Sequence, residues 1–214
     1  MRCSAYSKCR DAFTLTELLI LVAVLAILTA VLLPALSRPH HCYHPACANN
    51  LKQIGLAFKM WALDNGERFP MSVSTNDGGT MELCSGTNVA VHFAVMSNEL
   101  STPKLLVCPE DKERTWATNF HSNLNNSKLS YFVGLNSEPA NLSLWLSGDR
   151  NLTSNCHPTN GILALRPGDK AIWTRELHNA KGNILLVDGS VQMVSNINFH
   201  AVPKGTEMNR LAMP

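Results

Sequence analysis

Few residues in this 214-residue chain have the types and spacing that chemistry requires, and His178 is the first of them. Nine residues separate it from Asp188-Gly189, and a histidine with an aspartate can act as acid and base or as metal ligands. His178 with Asp149 or Asp188 would be the acid–base pair of a hydrolase, but the sequence identifies no nucleophile or metal to complete it. Turn geometry accounts for Asp188-Gly189 without chemistry, and capping or packing accounts for His178. Calcium would need several hard oxygen ligands, and Asp188 has only Glu176 near it in sequence, so Asp188 is a weak calcium candidate and no other cofactor is implied. His40-His41-Cys42-Tyr43-His44-Pro45-Ala46-Cys47 holds zinc-type ligands, yet so many within eight residues beside an apolar helix rarely close a tetrahedral site. Cys108-Pro109 and Cys156 lack a neighbouring base that would activate a thiol, and no phosphate-binding glycine loop or nucleophile elbow is present. The expectation is a protein that is not an enzyme.

The other chemically notable residue is Glu17, at the start of an apolar run. From Leu18 to Leu36 no residue is charged, and as a helix this run would span about 28 Å, close to the ~30 Å of a bilayer core. A carboxylate there costs about 2–3 kcal/mol on insertion, so it calls for a partner. Arg2, Lys8 and Arg10 against Asp11 predict a cytoplasmic N-terminus with the rest of the chain outside. Pro34 predicts a kink. A plain anchor, or a secretory signal cut after Ala35-Leu36-Ser37, are the competing readings, and neither uses Glu17. Helical periodicity returns with Leu51, Ile54, Phe58 and Trp61, giving an amphipathic helix over 46–64 that stops at Asp64-Asn65-Gly66.

The rest, 67–214, reads as one head. An irregular stretch with a short helix near His92 to Glu99 leads to strand candidates at Ser130–Val133, Ser143–Leu146, Ile162–Leu165 and Ala171–Trp173. Apolar runs on both sides of Asp188-Gly189, from Asn183 to Val194, predict a hairpin with a two-residue type I′ turn. The fold class is therefore α+β, a helix packed on a small antiparallel sheet. Charged residues are 16% and hydrophobic ones 45%, which excludes a disordered chain. A net charge of +2 without basic runs leaves no source for nucleic-acid binding. Seven cysteines are present, and their spacing leaves disulfide pairing open.

The segment Arg10-Asp11-Ala12-Phe13-Thr14-Leu15-Thr16-Glu17-Leu18-Leu19 resembles the type IV prepilin signal, a basic leader followed by Phe-Thr-Leu-x-Glu-Leu-Leu. The chain thus resembles the type IV pilin-like family, which includes the type II secretion pseudopilins. The strings Cys47-Ala48-Asn49-Asn50-Leu51-Lys52-Gln53-Ile54-Gly55-Leu56-Ala57, Leu106-Val107-Cys108-Pro109-Glu110-Asp111, Ser130-Tyr131-Phe132-Val133-Gly134-Leu135 and Leu146-Ser147-Gly148-Asp149-Arg150-Asn151 are similar to segments of pseudopilin-like proteins. So is the His178-x9-Asp188-Gly189 pattern. The resemblance implies a leader (1–12) cut between Ala12 and Phe13 by a prepilin peptidase, with Ala12 standing where glycine is usual, and N-methylation of Phe13. It implies one long N-terminal helix (13–66), transmembrane over 18–36, and a periplasmic head (67–214). Glu17 would pair with the N-terminal amine of a neighbouring subunit, two charges buried together costing less than either alone. The implied role is a subunit of a secretion or pilus-like filament held in the inner membrane. The alternative is a tethered or secreted module that binds a metal or glycan.

Overall fold

The structure is a computed structural model that describes residues 14–36, 43–154, 158–166, 169–195 and 209–214. It divides into two compact units, 1–41 and 42–214. The first contains helix α1, Leu15–Leu36. Thr14 opens α1: its backbone N–H and its hydroxyl both donate to Glu17 Oε2, at 2.9 and 2.8 Å, while Glu17 N donates to Thr14 Oγ1 at 3.3 Å. This is a Thr-x-x-Glu capping box, which satisfies N–H groups that a helix start leaves unpaired.

The single long helix expected over 13–66 is not found. Helix α1 ends at Leu36, helix α2 runs from Tyr43 to Asp64, and the two belong to different units. Arg38-Pro39 falls between them in sequence, and proline both lacks an N–H and biases the residue before it away from helix. No helix among the described residues is long and apolar enough to cross a membrane. The expected transmembrane span over 18–36 is thereby corrected. With it go the single-pass inner-membrane placement and the pseudopilin role in envelope secretion that depended on that anchor. Pro34 lies within α1 without ending it.

The α+β class stands, with more sheet than expected. In the second unit, β1 (Tyr131–Gly134), β2 (Trp145–Asp149), β4 (Ile162–Leu165), β6 (Lys181–Leu186), β7 (Val191–Ser195) and β8 (Asn209–Ala212) form an antiparallel sheet in the order β4-β8-β1-β2-β6-β7. A second antiparallel pair joins β3 (Leu152–Ser154) to β5 (Ala171–Trp173). Successive strand residues point to opposite faces, and both faces here are covered. Tyr131, Val133, Leu146, Leu185 and Ala212 join Leu51, Ile54, Phe58 and Trp61 of α2 in one core. Phe132, Trp145, Ile184 and Leu211 join Leu152, Ala171 and Trp173 in the other. The apolar stripe read for α2 is the buried one, and the helix stops where expected, with Gly66 at φ 68°.

Two short helices, α3 (Ala90–Ala94) and α4 (Ser97–Leu100), occupy the region expected to hold one. The hairpin forms between β6 and β7, but its turn differs from expectation. Gly189 N donates to Leu186 O, Leu186 N donates to Ser190 O, and only Gly189 has positive φ. A type I′ turn needs positive φ at both central residues; this is a three-residue loop ending in a left-handed glycine. In β2, Trp145 and Ser147 oppose adjacent residues Leu186 and Leu185, so Leu146 is the extra residue of a bulge.

Candidate functional site around His178

His178 sits in the connection from β5 to β6, whose residues His178, Asn179 and Ala180 have φ of 50°, 52° and 62°. Three consecutive non-glycine residues in the left-handed region cost about 1 kcal/mol or more each, so the surroundings must hold them there. Asn151, just past β2, does so: its Nδ2 donates to the carbonyls of Thr174, Leu177 and Lys181 at 2.9, 3.1 and 3.2 Å. The result is a buried imidazole with both nitrogens committed. Nδ1 is 2.7 Å from Glu110 Oε2, and Nε2 is 3.2 Å from Asp149 Oδ2. Asp149, at the end of β2, is fully buried, and its Oδ2 also accepts Asn183 N and Nδ2 at 2.6 and 2.9 Å. Burial works against the imidazolium, but the hydrogen bond and charge of Asp149, then those of Glu110, outweigh it and raise the His178 pKa.

Cys108 Sγ lies 3.4 Å from the same His178 Nε2. Cys108 is disulfide-bonded to Cys47 of α2. The expectation that Cys108 lacks a base is therefore corrected: its base comes from a position 70 residues away. Glu110, His178 and Cys108 have the order of an acid–base–thiol relay, with the sulfur held in the disulfide. Pairing, left open by the sequence, is settled for Cys47 and Cys108, and Cys84 is a free thiol.

Beside this cluster, Arg150 gathers carboxylates. Its Nε and Nη2 reach Asp111 Oδ2 and Oδ1 at 2.7 and 3.0 Å, Nη2 reaches Glu113 at 2.8 Å, and Nη1 reaches Glu176 at 3.0 Å. Ser130 Oγ donates to Asp111 Oδ2 at 2.8 Å. A forked guanidinium on a buried carboxylate is a strong and directional pair. It fastens the Cys108–Glu113 loop and the Glu176 loop to the end of β2, placing Glu110 against His178. A cleft of about 620 Å³ opens here, lined by Glu110, Lys112, Glu113, Arg175, Glu176 and His178 among others.

Of the residues singled out from sequence, the structure brings His178 and Asp149 together but not His178 and Asp188. The latter stand beyond opposite ends of β6, a six-residue strand of about 20 Å. Asp188 is occupied by its turn: Oδ1 accepts Ser190 N at 2.6 Å, and its carbonyl accepts Lys59 Nζ at 2.5 Å. The acidic ligands that calcium prefers are not gathered there, and the group with metal-ligand spacing among the described residues is Cys47, Cys108 and His178. Ala12 and Phe13 lie outside the described residues, as do His40, His41 and Cys42 of the histidine–cysteine stretch. Sequence reading missed Glu110, Asp111, Arg150 and Asn151 as site residues. They fall in the strings 106–111 and 146–151, which the fold brings together at His178. No protein-family model matches the chain, and no curated protein or solved structure matches it.

Proposed function

We propose that the chain is a structural subunit of a pilus-like filament, matured by a prepilin peptidase and assembled through α1. The observation that carries this reading is the uncovered apolar surface of α1. Leu15, Leu18, Leu19, Ile20, Leu21, Val22, Val24, Leu25, Ile27 and Leu28 are each about half exposed or more, on every side of the helix. Burying one such side chain stabilises by about 1.5–3 kcal/mol, so a helix of this composition needs neighbours. Copies of the same helix supply them, side by side. On α2, Leu56, Met60 and Leu63 at i, i+4 and i+7 form a second exposed apolar stripe, opposite the one packed on the sheet. It suits contacts between heads. The prepilin-like string around Phe13 supplies the processing step, and Glu17 supplies a charge whose pairing sets the stagger of neighbouring helices.

The capping box gives Glu17 a second role, and the two roles separate by mutation. In coexpression with a prepilin peptidase and its methyltransferase activity, the mature chain starts at N-methylated Phe13 by mass spectrometry and sediments as filaments. Glu17→Gln abolishes filaments, whereas Thr14→Ala, which removes the cap hydroxyl and its γ-methyl, leaves them. A start at Met1 or Arg38, or equal loss in both variants, would count against this function.

A further inference from the structure

The disulfide leaves part of its surroundings unexplained. Linking α2 to the Cys108 loop requires two cysteines, yet this pair is buried against a histidine and two carboxylates, groups whose burial is costly unless they are used. Cys47 Sγ, Cys108 Sγ and a His178 ring nitrogen all lie within 4.8 Å of one another. A tetrahedral zinc site, with Zn–S near 2.3 Å and Zn–N near 2.0–2.1 Å, places its ligand atoms roughly 3.3–3.8 Å apart. The two sulfurs need only separate for the trio to approach that spacing. The orientation of His178 also fits. Its Nδ1 faces Glu110 at 2.7 Å, the carboxylate–histidine pairing that fixes a ligand imidazole, and this leaves Nε2, on the Cys108 side at 3.4 Å, as the donor. Asp149 Oδ2, 3.2 Å from that nitrogen, stands nearest among the carboxylates to take the remaining position, and Asp149 Oδ1 has no hydrogen-bond partner among the described residues.

We propose that the Cys47–Cys108 pair is the oxidised form of a metal site, and that the reduced chain binds one thiophilic divalent cation of the zinc class through Cys47, Cys108 and His178 beside Asp149. A dithiol supplies the two electrons: it becomes a disulfide, the Cys47–Cys108 bond breaks, and each sulfur takes up a proton. Metal binding then releases those two thiol protons, and with them the proton that His178 Nε2 shares with Asp149, as the thiolates and the imidazole coordinate. Disulfide and metal exclude one another, with the reduced dithiol between them. Both states tie α2 to the Cys108 loop.

The test uses the full chain with Cys3, Cys9, Cys42, Cys84 and Cys156 replaced by serine, reduced by a dithiol that is then removed under anaerobic conditions. Co²⁺ titration should give one ion per chain, with thiolate-to-metal charge transfer in the near ultraviolet and the visible bands of a tetrahedral ion. The oxidised chain should give neither. Glu110→Gln should weaken binding about tenfold, in the range seen when a ligand histidine loses its orienting partner, and His178→Gln by more. Zn²⁺ should displace Co²⁺ and slow reoxidation of the two thiols. Absence of Co²⁺ binding by the reduced folded chain, equal binding by the oxidised one, or undiminished binding by His178→Gln overturns the proposal. If reduction unfolds the chain, Zn²⁺ must restore its near-ultraviolet circular dichroism, and failure to do so overturns it too.

Discussion

At His178 three residue properties meet: a raised pKa, a left-handed backbone and contact with a sulfur. The pKa has a consequence for stability whose sign is determined. A histidine whose folded pKa is raised above the unfolded value, 6.5, binds its proton more tightly when folded. Its contribution is fully present below the unfolded pKa and is lost as pH rises through the folded one. His92 acts in the opposite sense: burial pushes its pKa down to about 4, so its contribution is present above 6.5 and lost as pH falls toward 4. Comparison with His178→Gln isolates the first effect, because His92 is common to both proteins. As pH rises from about 6 through the unfolded value and beyond, the thermal midpoint of the parent should fall further than that of His178→Gln. A parallel pH dependence in the two would show that His178 keeps an ordinary pKa.

Among the elements, β6 is the most constrained. It pairs with β2 on one side and β7 on the other, succeeds the His178 loop and leads into the Asp188-Gly189 turn. Gly182 lies in it against the ring of Trp173, which occupies the space a Cβ would need. Since that ring is buried between the two sheets' strands, Gly182→Ala must displace packed aromatic atoms or the strand itself. A loss of about 1–3 kcal/mol is expected from such overpacking, measured by urea unfolding. The cost should appear without change in the helical far-ultraviolet signal of the folded state, because α2 packs on the opposite face. Full parental stability in this variant would mean that Trp173 has room to move. The hairpin itself was legible from Asp188-Gly189 and its flanking apolar runs. Its turn type was not, because Asp-Gly is compatible with both two- and three-residue loops and the register of β6 on β7 decides between them.

For the molecule as a whole, the Cys47–Cys108 bond crosses 61 residues and joins α2 to the loop that carries Glu110. On the chain-entropy account, closing a loop of that length stabilises by about 4 kcal/mol. Replacing both cysteines with alanine should therefore lower the thermal midpoint on the order of 10 °C. Differential scanning calorimetry decides the matter, and a change of only a degree or two would mean that the contacts of α2 with the sheet hold the loop unaided.

Local pattern was enough for much of this protein. The spacing of Leu51, Ile54, Phe58 and Trp61 determined the buried face of α2, because a helix repeats every 3.6 residues whatever lies beyond it. Short apolar and β-branched runs located β1, β4 and β5, and placed β2 a few residues early. Strands β3 and β8 escaped notice: Leu152–Ser154 and Asn209–Ala212 are too short to show a period, and only pairing makes them strands. The apolar character of α1 was plain from composition, whereas its separation from α2 depended on how far each helix extends. The site was least legible of all. Cys47, Cys108, Asp149 and His178 carry no spacing signal across such distances, and the sheet order, the Asn151 clasp and the Arg150 fork bring them together. Sequence by itself determines the features that neighbours along the chain impose on one another. The disulfide, the strand order and the environment of His178 are set by contacts between residues far apart in the chain, which only tertiary packing selects.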